Sequence, residues 1–247
     1  MNEKAYKQYL EYLKLSGIQD IFLPDKPAKK NSDEPLSTKP ETTAETIPQK
    51  TATQMQNATE VKDADEKLRL LAIKYSSCQK CQLWQERNKF CYGNGSGKAK
   101  LMLIGEGPGA DEDRTGRVFV GRAGQLLTKM LLAIKLQREE VYIGNIVKCR
   151  PPNNRNPLPE EARACLPYLE EQIEIIQPKL LLLLGKVAAS ELLGSEGTMT
   201  QYRSQTYLYK GIKTYVTFHP SALLRNPNWK RDAWIDLQKL QKDYENL

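Results

Sequence analysis

The segments of this chain that read as strands are continuous apolar runs rather than alternating ones, and helical periodicity separates them. Lys100–Gly105, Val141–Val147 and Lys179–Leu184 are the clearest. A strand without polar alternation is buried on both faces, which marks a mostly parallel sheet covered by helices on either side. The intervening segments supply those helices. Gly121–Ile134 puts Leu126, Leu127, Met130, Leu131 and Ile134 on one face. Pro159–Ile176 opens with a proline suited to a first turn, and Glu160 and Glu161 favour its N-terminus. Lys186–Leu193 follows the third strand, and Trp229–Tyr244 closes the chain. Thr206–Tyr209 and Ile212–Phe218 flank Lys210-Gly211 as a hairpin that delivers a fourth core strand. The expected class is therefore α/β, and ligands in such sheets bind at the carboxyl ends of the strands.

Not all of the 247 residues can join that core. Lys26–Lys62 carries four prolines, seven threonines and, as large apolar residues, only Leu36, Ile47, Met55 and Val61. It buries too little surface to offset its chain entropy. The expected organisation is a short N-terminal helix at 1–22, a disordered linker at 23–64 and a folded domain at 65–247. The N-terminal helix, built on Tyr6, Tyr9, Leu10, Leu13 and Ile18, has no core of its own and docks either on the main domain or on a protein partner. The longest apolar runs have five residues against the roughly 20 of a membrane span. The mixed-charge N-terminus resembles neither a secretory signal nor a transit peptide. A cytoplasmic protein, acting as a monomer away from membranes, is expected, with its five cysteines reduced or metal-bound rather than paired.

A single histidine, His219, removes several mechanisms. Metal sites built on two or three histidines are impossible within one chain. A Ser-His-Asp triad lacks its G-x-S-x-G element. Any metal centre must rest on cysteine, with or without carboxylates. The first 62 residues carry nine basic and nine acidic side chains, so the whole net charge of +7 falls on residues 63–247, which suits a polyanionic partner.

Three segments at or beyond strand ends could converge on one pocket: Gly105-Glu-Gly-Pro-Gly-Ala-Asp-Glu-Asp113, Asn145 with Cys149-Arg-Pro-Pro152, and Phe218-His-Pro-Ser-Ala-Leu-Leu-Arg225. The first is no Walker loop, because its glycines run into Asp111, Glu112 and Asp113, which would repel a triphosphate. Either it is a plain tight turn, or its small residues let the backbone approach a ligand while Glu106 points into the pocket. Cys78-x2-Cys81, then Cys149 and Cys165, suggest four ligands from two distant parts of the chain, and the spacing does not choose zinc from an iron–sulfur cluster. Cys91 fits no pair. An apolar step followed by a cation, Leu223-Leu224-Arg225, is what a protein needs to push into a base stack and hold the phosphates.

Taken together and in order, these motifs, with Phe119-Val-Gly-Arg-Ala-Gly-Gln-Leu-Leu127 and Cys149-Arg-Pro-Pro-Asn-Asn-Arg-Asn-Pro157, resemble the family 4 uracil-DNA glycosylases, the iron–sulfur type of the uracil-DNA glycosylase superfamily. The resemblance runs from about Leu70 to Tyr244. It implies a three-layer α/β/α sandwich on a four-stranded mostly parallel sheet, and a [4Fe–4S] cluster on Cys78, Cys81, Cys149 and Cys165. It implies hydrolysis of the N-glycosidic bond of deoxyuridine in single- or double-stranded DNA, leaving an abasic site. Phe119 would stack on the extruded uracil, the Asn145 amide would read its O4/N3 edge, His219 would donate to O2, and Leu223 would be the wedge. Glu106 or Glu112 would position the water, and Gly107 and Glu112 would border the substrate. Position 107, usually alanine in the family, is glycine here, and position 118, often proline, is valine. The covalent-trapping relatives carry an inserted basic loop with a second histidine; this chain runs directly through Asn153-Asn-Arg155, which implies turnover. Competing readings are a redox protein, a zinc-stabilised DNA-binding module without excision, and excision of another deaminated base such as hypoxanthine.

Overall fold

A computed structural model describes residues 52–247; the expected helix at 1–22 and residues 23–51 lie outside the described residues. The described chain begins with helix α1 (Ala52–Tyr75), so residues 52–64, expected as linker, are instead its first turns. No proline follows Pro48 there, and alanine, glutamine, glutamate and lysine favour a helix. The far end is anchored: Leu68 is buried, and Leu71, Ala72 and Tyr75 pack against the core. Extending an anchored helix adds a hydrogen bond for each residue fixed.

After α1 come β1 (Asn94–Gly95), β2 (Leu101–Gly105), α2 (Ala110–Thr115), α3 (Arg122–Ala133), β3 (Tyr142–Asn145), α4 (Pro159–Ile176), β4 (Leu180–Leu184), α5 (Lys186–Leu193), α6 (Met199–Arg203), β5 (Tyr207–Tyr209), β6 (Ile212–Thr217), α7 (Pro220–Arg225) and α8 (Lys230–Tyr244). The sheet order is β1-β3-β2-β4-β6-β5. The four central strands are parallel, as expected. The sheet has six strands rather than four, because β1 and β5 add short antiparallel edges. A two-residue strand next to glycine carries no periodicity to announce it, and its pairing with β3 is set by the tertiary fold.

The unbroken apolar strands have a direct structural reason. Successive side chains point to opposite faces, and each face has its own core. Leu101, Leu103, Leu180, Leu182 and Leu184 join Leu127, Met130 and Leu131 of α3 and Trp234, Leu237 and Leu240 of α8. Met102, Ile104, Leu181 and Leu183 join Leu169 and Ile173 of α4, Ala188 and Leu192 of α5, and Leu68 of α1. The result is a three-layer α/β/α sandwich. No described helix is long and apolar enough to cross a membrane. Because β3 lies on one side of β2 and β4 on the other, the chain reverses its progression there and opens a crevice at the carboxyl ends of these strands.

Candidate active site

The three expected segments do converge. A cleft of about 520 Å³ at these strand ends is lined by Glu106 and Gly107 after β2, Asn145 at the end of β3, Lys186 after β4 and His219 after β6. Phe119 and Glu112 also line it. Parallel pairing puts Gly105 opposite Asn145. A Cβ at Gly105 would stand 2.5 Å from Asn145 Oδ1 and 2.6 Å from the Phe119 ring, so only glycine lets the strand end, the amide and the ring share this space. A Cβ at Gly107 would lie 2.8 Å from Val147 Cγ2.

Asn145 is 1% exposed, and its Oδ1 has no hydrogen-bond partner. Buried polar atoms are nearly always satisfied, so an acceptor left open inside a cleft is prepared for a donor from outside the protein. Phe119 is buried beside it in the left-handed region (φ 51°), with its ring centroid 5.5 Å from that of His219.

Glu112 explains how that loop is held. Its Oε1 accepts from the N–H of Val120 (2.7 Å) and Gly121 (2.8 Å), and its Oε2 from the N–H of Gly109 (3.1 Å). Both oxygens are thus engaged with backbone, which corrects the expectation that Glu112 positions water; it fixes the loop that carries Phe119. Asp113 is similarly occupied, by Asn88 and Lys89. Glu106 is the carboxylate left facing the cleft, and burial raises its pKa above the usual value, with Arg225 pulling the other way.

His219 caps α7. Its Nδ1 accepts from the Ser221 backbone N–H (3.2 Å) and lies 2.8 Å from Ser221 Oγ. A neutral imidazole whose Nδ1 accepts carries its proton on Nε2. Burial, reinforced by the nearby Arg225 charge, pushes its pKa down to about 4. At neutral pH the ring is therefore an uncharged donor.

Leu223 departs from expectation. It is 0% exposed, packed in the core that α3 and α8 share, so it is no wedge as it stands. The short helix α7 turns Leu223 inward and leaves the next residue, Leu224, 37% exposed. Trp229, stacked on Phe218 at 4.9 Å, is a further partly exposed apolar group lining the cleft that the sequence reading did not single out.

Cys78, Cys81, Cys149 and Cys165 line a second, smaller cleft together with Arg87 and Tyr168. The sulfurs receive donors: Arg87 Nη1 to Cys149 (3.2 Å), Tyr168 Oη to Cys78 (3.1 Å), the Lys148 N–H to Cys165 (3.3 Å) and the Leu83 backbone N–H to Cys81. Burial pushes the Cys149 thiol up to about 11 and the Cys165 thiol to about 12, so metal binding must displace protons there. Among the described residues no compact set of three His, Cys, Asp or Glu side chains forms a site for a single metal ion. Cys91 stands apart, fully buried, its Sγ 3.2 Å from the Glu112 carbonyl, as a core residue. Sequence reasoning quoted Arg155 only as part of a motif; its bidentate pair with Glu161 (2.7 and 2.8 Å) pins the loop leading into α4.

Comparison with known proteins places the chain in a family. The family profile described as the Uracil DNA glycosylase superfamily matches residues 92–238. A type-4 uracil-DNA glycosylase of Sulfurisphaera tokodaii is 43% identical over 175 residues, covering 67% of this chain and 80% of that protein. One from Thermotoga maritima is 44% identical, covering 66% and 85%. A type-5 uracil-DNA glycosylase of Pyrobaculum aerophilum is 33% identical over 51% of this chain and 62% of its own length. With more than half its length matched by the profile and such relatives aligned across its folded part, the chain belongs to the uracil-DNA glycosylase superfamily.

Proposed function

We propose that this protein is a DNA-repair uracil-DNA glycosylase of type 4, which flips uracil out of DNA and hydrolyses its N-glycosidic bond. The observation that carries the reading is the unsatisfied, fully buried Asn145 Oδ1 in the cleft that Phe119 and His219 also line. Uracil offers an N3–H donor beside an O4 acceptor, and a primary amide answers both. Cytosine presents the reverse order and would leave the amide mismatched, a strong basis for rejection in a buried site.

The reaction needs the base outside the duplex, which costs about a few kcal/mol and least for a mispaired uracil. Phe119 supplies the stacking surface that replaces the lost base stack. As the glycosidic bond breaks, negative charge grows on the uracil ring, and the His219 Nε2–H is the donor for O2. A preorganised donor of this kind contributes on the order of 3–4 kcal/mol. The leaving base is an anion, so His219 need not give up its proton, which agrees with a histidine held neutral. Glu106 is the carboxylate suited to orient the attacking water. Leu224 takes the wedge role that Leu223 cannot fill, with Arg225 beside it for the phosphates. The pocket draws all its parts from one chain, so a monomer suffices.

Cys78, Cys81, Cys149 and Cys165 would hold a [4Fe–4S] cluster. Four thiols in one cleft, each with a hydrogen-bond donor, suit it. In such a cluster each cysteine binds a different iron, so the ligands need not crowd one ion as in a zinc site. The cluster would supply a covalent link between the Cys78–Cys81 segment, the loop after β3 and α4.

The test is a single-turnover assay on a labelled oligonucleotide with one uracil and a matched thymine control, followed by alkali cleavage. Cleavage of the uracil strand alone is expected. An intact strand from iron-loaded protein would overturn the reading, and the same assay on hypoxanthine would then be the next experiment.

A further inference from the structure

Lys148 is 0% exposed, and nothing in the proposed reaction uses it. Its Nζ donates to the Asn145 carbonyl (2.9 Å) and to Gln172 Oε1 (2.7 Å), and it lies 5.9 Å from the centre of the Tyr92 ring. These partners are all neutral, and among the described residues no carboxylate pairs with it. A buried ammonium is tolerated only when charge and hydrogen bonds compensate it. Thiols stand near it: Cys165, whose Sγ accepts from the Lys148 backbone N–H and whose charge acts on the ammonium, and Cys91, whose charge acts on it likewise, while Cys149 is the next residue.

The surrounding scaffold makes this placement rigid. Cys165 and Gln172 are two turns apart on α4 and so share a face. The Gln172 amide is oriented by donating to the Tyr92 carbonyl (2.8 Å) and Tyr142 Oη (3.1 Å), which leaves its Oε1 for the lysine. The strand end from Asn145 to Lys148 is pinned as well, by Ile146 N–H to the Gly105 carbonyl, Val147 N–H to the Glu106 carbonyl, and Cys91 N–H to the Lys148 carbonyl.

We propose that Lys148 is a positioning residue that couples the cysteine cleft to the base pocket. Its ammonium balances the negative thiolate–iron assembly on one side, and on the other grips the Asn145 backbone so that the amide meets uracil in register. This rests on the reading of the four cysteines as cluster ligands and of Asn145 as the base reader.

The experiment compares full-length wild type with Lys148→Met, which keeps the volume and removes the charge. Three quantities are read: the rate of iron loss to a chelator, the cluster's reduction potential, and affinity for free uracil. The variant should lose iron faster, shift its potential to more negative values, and bind uracil on the order of tenfold more weakly, about what one charged hydrogen bond contributes. A lower melting temperature with the other three unchanged would indicate a packing role and overturn the proposal. If Lys148→Met does not fold, Gln172→Met, which keeps the ammonium and removes one of its acceptors, should leave the potential nearly unchanged and weaken uracil binding by less than tenfold; uracil affinity equal to wild type there would overturn the coupling. Wild type without iron would overturn the cysteine reading and the coupling together, whereas iron-bearing wild type matched by its variant would overturn the coupling alone.

Discussion

The base pocket and the cysteine cleft lie on either side of the end of β3, and they treat polar atoms in opposite ways. In the pocket, Asn145 Oδ1 is buried and left without a partner. In the cleft, the sulfurs of Cys78, Cys149 and Cys165 each receive a hydrogen bond from the protein. An unsatisfied group is a cost accepted for a ligand, and satisfied groups are a scaffold. Substitutions in the pocket should therefore remove activity while sparing the fold, and substitutions in the cleft should do the reverse.

The sharpest way to break this contrast is Asn145→Ala. Single-turnover uracil excision should fall on the order of 10²–10³-fold, with melting temperature and iron content as in wild type. Normal excision would show that the amide does not read the base. Cys165→Ser is the mirror experiment. It should lose iron and melt roughly 5–10 °C lower, as loss of a stabilising cross-link of about 2–4 kcal/mol implies. Its loss of excision at 25 °C should be smaller than that of Asn145→Ala; the opposite order would erase the distinction between the two regions.

The adjacent leucines of α7 repeat the contrast at the scale of one peptide bond. Leu223→Ala should cost about 2–5 kcal/mol of stability in denaturant unfolding. Leu224→Ala should stay within about 0.5 kcal/mol of wild type, yet slow excision from duplex DNA roughly tenfold, the scale of one leucine's apolar burial, while single-stranded substrate is spared. A duplex rate unaffected by Leu224→Ala would remove it as the wedge.

The pH profile gives a smaller effect with a definite sign. The folded-state pKa of His219, about 4, lies below the ordinary value of about 6.5. The neutral ring is thus favoured by folding. Its contribution to stability is complete above about pH 6.5 and is lost as pH falls from there towards 4. Excision should show no step assignable to His219 between pH 5 and 8, and an NMR titration of the single imidazole should find its midpoint well below 6. A midpoint near 6.5 would mean that the ring is solvated and not preorganised. Smallest of all, Gly107→Ala should cost about 1 kcal/mol by pressing on Val147, with excision nearly unchanged.

How much of this was legible in the sequence depended on how far each signal reached along the chain. Apolar runs and helical periodicity give β2, β4, α4 and α5 almost to the residue, because burial on both faces of a sheet leaves no room for polar alternation. The short elements α2, α6 and α7 are too brief to show a period. The choice between Leu223 and Leu224 turns on about 100° of rotation within α7, which only its packing against α3 and α8 decides. Glu112 reads as a reactive acid until the N–H groups of Val120 and Gly121 are seen to occupy it. Lys148 goes unremarked in the sequence, since nothing in Val-Lys-Cys-Arg announces that it is buried against α4 and Tyr92.

The left-handed backbone at Phe119 has a consequence for how this protein would fail. Holding a bulky aromatic residue at φ 51° costs on the order of 1–3 kcal/mol, and the grip of Glu112 on the neighbouring N–H groups offsets that cost. The shape of the segment that walls the pocket thus depends on one carboxylate. Loss of that carboxylate would let the segment relax, and the molecule would lose its hold on a base while the sandwich beneath it stayed folded.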